Sequence, residues 1–353
     1  MKIKLAILEK DPSYLNRIVT AFSVKYADNL EIYSFTNGEL ALSALDTNRI
    51  DVFLVSDAFE IEMNAIPKRC GFAYFVDSPD VETLNNQRAI CKFQKADLIY
   101  KEILSLYSEN KGGATGLKFN DDSTKLIAFS SPSGGSGSST AAAACAMHFA
   151  TKGKKTLYLN LEKFGSADAF FRGSGGFDMS DVIYALKSKK TNLPMKLEGC
   201  VKQADNGVYF YSQTKVALDM LELSAEDMIR LLAELKITGS YDYIVADMDF
   251  SIDAASIQAY KQAHAVVWVG DGSELSNMKI QRAFTAVSIL EQNAGAPLTD
   301  RLGLIYNKFS NKTGKTAGNI GIREIGGAPR YDHAPVEQIL NQLSAAEMFD
   351  KII

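Results

Sequence analysis

The sequence predicts two consecutive α/β domains, each built on a mostly parallel sheet with helices packed against it. Three observations carry that reading. Short apolar strands alternate with helical patterns through both halves of the chain. One polar, glycine-rich stretch without periodicity, residues 108–123, divides the halves. The second half opens on a glycine- and serine-rich loop, Gly134-Gly135-Ser136-Gly137-Ser138-Ser139-Thr140, set between an apolar strand and a run of alanines. A length of 353 residues suits two domains of roughly 150 residues each. The expected division is therefore 1–107, a linker at 108–123, and 124–353.

In the first half, Lys4 to Leu8 reads as a short strand, and Asp11 precedes a helical pattern carrying Leu15, Ile18, Val19 and Phe22. Leu30 to Phe35 alternates like a strand, and Gly38 to Leu45 reads helical. Val52 to Val55 and Phe72 to Val76 are continuous apolar runs, as strands buried on both faces should be. Ala89 to Phe93 is a fifth strand, followed by a helix through Ile99, Ile103 and Leu106.

In the second half, strands are expected at Lys125 to Ser130, Thr156 to Leu161, Val208 to Tyr211, Tyr243 to Ala246, Ala265 to Val269 and Leu302 to Tyr306. Amphipathic helices lie between them, for example Ala225 to Leu235 and Asn277 to Leu290. The alanines from Ala141 to Ala146 favour a helix and permit close packing on a sheet. Residues from Val336 to Ile353 form a helical pattern whose polar face carries Glu337, Glu347 and Asp350 against Lys351. A membrane-surface helix would be basic there, so this segment is read as packing on the core.

Composition narrows the function classes. Hydrophobic residues make up 46% and charged residues 23%, so either half can bury its own core. A net charge of -4 and a pI near 5.6 speak against sequence-independent nucleic-acid binding, which needs a basic face. The chain lacks a run of about 18 apolar residues, so no transmembrane segment is expected. Its start is charged too early for a signal peptide, which points to the cytoplasm. Cys70, Cys91, Cys145 and Cys200 lie far apart, as packing thiols do. His148, His264 and His333 have no second ligand at helical spacing, and no zinc site is proposed.

Three loops carry chemistry. The Gly134–Thr140 loop has what an anion cradle needs: glycines that let consecutive N–H groups turn toward one phosphate, and a helix whose positive end follows. Ser139 is placed as a magnesium ligand. Ser138 stands where an ordinary phosphate loop has its lysine. One charge-assisted contact of roughly 1.5–3 kcal/mol is thereby lost, which weakens transition-state stabilisation more than it prevents binding. The second loop carries Asn160 and Glu162, two residues apart, so both can face the phosphates and Glu162 can orient a water. The other reading of Glu162 is a solvated loop carboxylate. The third is the apolar strand ending at Asp247, with Asp249 beyond it, the pattern in which a carboxylate helps hold magnesium.

Together these loops resemble the ParA/MinD family of deviant Walker A ATPases (the SIMIBI class), whose loop reads Lys-Gly-Gly-x-Gly-Lys-[Ser/Thr]-[Ser/Thr]. Here it reads Ser133-Gly134-Gly135-Ser136-Gly137-Ser138-Ser139-Thr140, with the glycines and hydroxyls kept and both lysines absent. The resemblance implies a P-loop fold, ATP and magnesium as ligands, and a homodimer. It implies phosphate binding by residues 133–140, Glu162 and Asp247 as catalytic residues, and Ser139 and Asp247 as metal ligands. It implies adenine contacts from Asn307 and from Pro329 and Arg330 in the final loop. Ser133 replaces the lysine that in this family reaches the partner's phosphates, which argues for weak or absent hydrolysis.

The N-terminal half resembles a flavodoxin-like receiver domain. Glu9 and Asp11 fall where receivers carry their acidic pair, and Lys95 follows the fifth strand. Ser56 stands where the phosphoacceptor aspartate belongs, with Asp57 one place on. The favoured reading is an atypical receiver that is not phosphorylated. The other is a loop that shifts register so that Asp57 accepts phosphate. An atypical receiver before a degraded ParA/MinD-like domain is similar to the TadZ/CpaE family. That resemblance implies a role in polar placement and biogenesis of Flp-type (tight adherence) pili and their secretion machinery, through contacts with assembly proteins at the cell pole. Membrane association would then run through those partners. The alternative is an active ParA/MinD-type ATPase positioning DNA or cell-division proteins. A dinucleotide-dependent oxidoreductase fits less well, because the glycines are not spaced G-x-G-x-x-G.

Overall fold

A computed structural model describes residues 2–110, 124–188, 192–294, 297–318 and 320–353. The chain divides into two units, Met1–Thr115 with Ser188–Cys200, and Gly116–Lys187 with Val201–Ile353. Most of the expected linker, 111–123, lies outside the described residues, while Ser108 to Asn110 complete a helix.

The first unit runs β1 (Ile3–Leu8), α1 (Pro12–Lys25), β2 (Leu30–Phe35), α2 (Gly38–Thr47), β3 (Val52–Ser56), β4 (Gly71–Val76), β5 (Thr83–Leu84), β6 (Gln87–Cys91) and α3 (Ala96–Asn110). The sheet order is β2-β1-β3-β4-β6-β5, parallel except for β5 against β6. Asp11 starts α1 by accepting the Ser13 N–H at 2.8 Å, with Pro12 in the first turn. Leu15, Ile18 and Phe22 of α1 and Ile99 and Ile103 of α3 bury one face of the sheet. Ala41 and Leu45 of α2 lie against Phe53 and Val55 on the other. Helices do not follow every strand. Only a 3-10 turn, Met63–Ala65, separates β3 from β4, and the β5 hairpin separates β4 from β6.

The second unit runs β7 (Lys125–Ser130), α4 (Ser138–Thr151), β8 (Thr156–Asn160), α5 (Ala167–Phe170) and α6 (Met179–Lys187). The next helix, α7 (Leu193–Cys200), packs in the first unit instead. There Lys196 Nζ donates to Ser105 Oγ at 2.8 Å, and a Cβ on Gly199 would fall 3.3 Å from the Lys101 carbonyl oxygen, so glycine lets the two helices approach. The second unit resumes with β9 (Lys202–Gln203), β10 (Tyr209–Phe210), α8 (Leu218–Leu221), α9 (Ala225–Ile237), β11 (Tyr243–Asp247), α10 (Ala254–Gln262), β12 (Ala265–Gly270), α11 (Glu274–Ala294), β13 (Leu302–Phe309), β14 (Arg323–Pro329) and α12 (Val336–Ser344). The sheet order is β14-β13-β12-β7-β11-β8-β10-β9, and only the β9–β10 pair is antiparallel.

The alanines Ala141 to Ala146 of α4 are all buried, in one cluster with Phe129, Tyr158 and Val245. Small side chains thus seat α4 deep on the sheet and fix its N-terminus at the carboxyl ends of the central strands, where ligands bind in open α/β sheets. The C-terminal segment packs on that core: Leu340, Leu343, Phe349 and Ile352 are buried. His148 of α4 ties it down, reaching the Ser344 carbonyl at 2.7 Å and the Asp350 carboxylate at 3.0 Å.

Candidate nucleotide site

The loop after β7 takes a conformation that only glycine adopts without strain. Gly134, Gly135 and Gly137 have φ of 62°, 67° and 86°. A Cβ on Gly134 or Gly135 would meet nothing within 4 Å, so both border open space. At Gly137 it would fall 2.4 Å from Asn307 Nδ2, which excludes any side chain there. Gly137 is also the N-cap of α4, and no side chain caps that helix. The positive end of α4 therefore faces the loop. Ser131 anchors the loop: its Oγ donates to the Val269 carbonyl at 2.6 Å and accepts from Ser136 Oγ at 2.9 Å and the Ser133 N–H at 3.2 Å.

Beside the loop stands a polar cluster set by strand register. Asp247 on β11 lies opposite Asn160 on β8. Asn160 Nδ2 is 3.1 Å from both Asp247 Oδ2 and Glu162 Oε2, and Ser139 Oγ donates to Glu162 Oε1 at 3.1 Å. Tyr158, which the motif reading passed over, donates its hydroxyl to Asp247 Oδ2 at 2.8 Å. Asp247 is completely buried. Burial, then the neighbouring Glu162 charge, push its carboxyl up to about 8, against the Tyr158 hydrogen bond that pulls it down.

Two buried oxygens at this site have no hydrogen-bond partner: Asp247 Oδ1 and Ser138 Oγ. Unsatisfied buried polar atoms are costly and point to a missing ligand. A magnesium ion with a polyphosphate fits this donor set. Ser139 and Asp247 would hold the ion and the residue 133–140 backbone the phosphates. Among the described residues no three His, Cys, Asp or Glu side chains are grouped to hold a metal by themselves. A magnesium ion here would be shared with phosphate oxygens and water, as that ion prefers.

The remaining expected residues divide. Asn307 joins the loop, its Nδ2 donating to the Ser136 carbonyl at 2.9 Å. Pro329 ends β14 opposite Phe309, and Arg330 follows it, exposed, 3.4 Å from Asp332. Asp249 turns to the Lys163 N–H at 3.0 Å, not to the Asp247 cluster. Two lysines missed by motif reading touch the loop: Lys308, next to Asn307, and Lys279 of α11.

In the first unit, Glu9 is buried beside Asp11, whose N–H it accepts at 3.0 Å. The lysine that meets it is Lys92, not Lys95. Lys92 Nζ stands 3.7 Å from Glu9 Oε2 and 2.7 Å from Asp77 Oδ1, while Lys95 is exposed at the start of α3. Burial pulls the Lys92 ammonium down, but Asp77, Glu9 and Asp57 together hold it above its usual range. Ser56 ends β3 in register with Phe75 and is buried, and Asp57 beyond it is exposed.

Two parts of the chain are similar to known proteins. A TadZ-like receiver domain model matches residues 1–108. Among solved structures, a ParA family ATPase from Chlorobium tepidum TLS is similar at 19% identity over 66% of this chain and 97% of that one, with a TM-score of 0.52. The MinC:MinD cell division protein complex of Aquifex aeolicus is similar at 17% identity over 65% and 94%, with a TM-score of 0.49. A plasmid partition protein from Borrelia burgdorferi is similar at 20% identity over 65% and 100%, with a TM-score of 0.48. No curated protein matches. The class is thus a receiver-type α/β domain followed by a domain of the P-loop, ParA/MinD-like fold. More particularly, the N-terminal domain is a TadZ-like receiver domain, and its fusion to a ParA/MinD-like domain is consistent with TadZ/CpaE architecture. No helix among the described residues is long and apolar enough to cross a membrane.

Proposed function

We propose that this chain is an ATP-binding localisation and assembly factor. On this reading it acts in polar placement and biogenesis of Flp-type pili and their secretion machinery, as a cytoplasmic homodimer that contacts assembly proteins at the cell pole. The observation that carries the nucleotide part is the pair of buried, unpartnered oxygens, Asp247 Oδ1 and Ser138 Oγ, beside an uncapped helix N-terminus and an open glycine loop. The TadZ-like receiver domain supports the pilus part.

ATP would lie with its phosphates on residues 133–140 and its base near Asn307, Pro329 and Arg330. Bound magnesium would neutralise developing phosphate charge. The chain's own residues orient that ligand: Tyr158 and Asn160 hold Asp247, and Glu162 holds Ser139. Ser133 and Ser138 supply no charge to a transition state, so hydrolysis is slow or absent. The receiver domain is not phosphorylated, because a buried serine ends β3 and Lys92 is held by two carboxylates. The test is the position of the fluorescently tagged chain in cells that make Flp pili. Polar foci that persist after Asp57→Ala, and are lost with Gly137→Val, support the proposal. Diffuse signal in the parent strain overturns it.

A further inference from the structure

The loop lacks its own lysines, yet two ammonium groups stand on it. Lys308 Nζ donates to the Gly135 carbonyl at 2.9 Å, and its Cε lies 3.4 Å from where a Cβ on Gly137 would be. Lys279 Nζ, from the second turn of α11, donates to the Ser133 carbonyl at 3.4 Å. Neither forms an ion pair among the described residues.

The placement of Lys308 is built, not incidental. Successive strand residues point to opposite faces. Asn307 and Lys308 are adjacent, yet both reach the loop. A β-bulge allows it. Tyr306 pairs with Gly327 and Phe309 with Pro329, so two residues of β13 oppose the single Ala328. Lys308 takes a φ of 58° in that bulge, a left-handed position that bulges usually give to glycine. A lysine in a conformation suited to glycine is strain of the kind that clusters at ligand sites.

We infer that Lys308 binds the anionic tail of the nucleotide, with Lys279 as a weaker second cation. Charge that helps hold the bound nucleotide is thus supplied from β13 and α11, not from the loop positions that act on a transition state. This rests on the proposed nucleotide reading. When phosphate occupies the loop, each ammonium can exchange its carbonyl acceptor for a charged oxygen, a stronger hydrogen bond.

The test is calorimetric titration of the full chain with ATP and magnesium at low and high salt. For Lys308→Met we expect about tenfold weaker binding at low salt, a smaller loss at high salt, and recovery with Lys308→Arg. For Lys279→Met we expect about threefold. Lys308→Gly relieves the backbone strain while removing the ammonium, so it should melt higher than the parent yet bind as weakly as Lys308→Met. Parent-like affinity in both Lys308 variants overturns the inference. So does an equal loss at both salts, which would mean that the lysine only props the loop. No binding by the parent chain overturns the nucleotide reading itself, which separates the two failures.

Discussion

The two units each carry a site whose motif has lost residues, and the losses have opposite physical consequences. In the receiver domain the remaining charges are gathered around one lysine, although Glu9 Oε2, 3.7 Å from Lys92, makes no hydrogen bond. Glu9 accepts the Asp11 N–H and faces Lys92, which Asp77 also holds. In the second unit, the loss of two lysines leaves a glycine cradle bordering open space, with Asp247 Oδ1 and Ser138 Oγ unpartnered. The first site holds its cation between two carboxylates, whereas the second keeps a glycine cradle open to a ligand. Losing a motif residue therefore does not by itself mean losing a site; what matters is whether the residues left behind have become each other's partners.

The largest expected effect is at the glycine cradle. Gly137→Ala puts a Cβ against Asn307 in a left-handed backbone, and should cost about 2 kcal/mol of stability and abolish ATP binding. Chemical denaturation and calorimetry would check both. Binding retained in this variant would mean that the loop is not the phosphate site.

In the receiver domain, Lys92→Met should leave Glu9 buried beside an apolar chain and cost about 3 kcal/mol, since both partners are largely buried. ATP affinity should not change. A loss of affinity without a loss of stability would break the contrast between the two sites.

Asp247 gives the next effect. Its folded carboxyl is raised to about 8, so the folded state holds that proton more tightly than the unfolded chain does. The sign follows. Without magnesium, this group's stabilising contribution is complete below about pH 4 and is lost as pH rises through about 8. Asp247→Asn should flatten that dependence between about pH 4 and pH 8, and should weaken the magnesium dependence of ATP binding about tenfold. Thermal melts across pH, with and without magnesium, would read it.

The smallest effect is at Asp57. Beryllofluoride with magnesium, a phosphoryl mimic, should leave the spectra of the receiver residues unchanged. A saturable shift centred on Asp57 would show that this site is open after all.

The sequence made part of this legible, for physical reasons. Gly134, Gly135 and Gly137 were readable because positive φ restricts the residue type. Asn160 and Asp247 were readable because apolar strands must end at the same sheet edge. Lys308 was not, because alternation predicts that it points away from Asn307 and only a register slip reverses that. An asparagine followed by a lysine after an apolar strand was the one available signal. Lys279 and Tyr158 lie in ordinary helix and strand patterns, and only tertiary packing aims them. The glycines of β14 hid a strand, since Gly326 and Gly327 are there to let Met348 and Tyr306 approach. Lys92 and Lys95 lie three residues apart between β6 and α3, and only the turn there brings Lys92 to Glu9. The transfer of α7 into the first unit is likewise a packing outcome that the glycine-rich stretch at 108–123 does not announce.

The central claim is that this loop binds nucleotide without turning it over. The most direct measurement is a calorimetric titration of the full chain with ATP and magnesium, with phosphate release followed in the same samples. The account predicts saturable, magnesium-dependent binding at one site per chain, with phosphate release no faster than that of Gly137→Ala. No heat at millimolar ATP, or release well above that variant's rate, would contradict it.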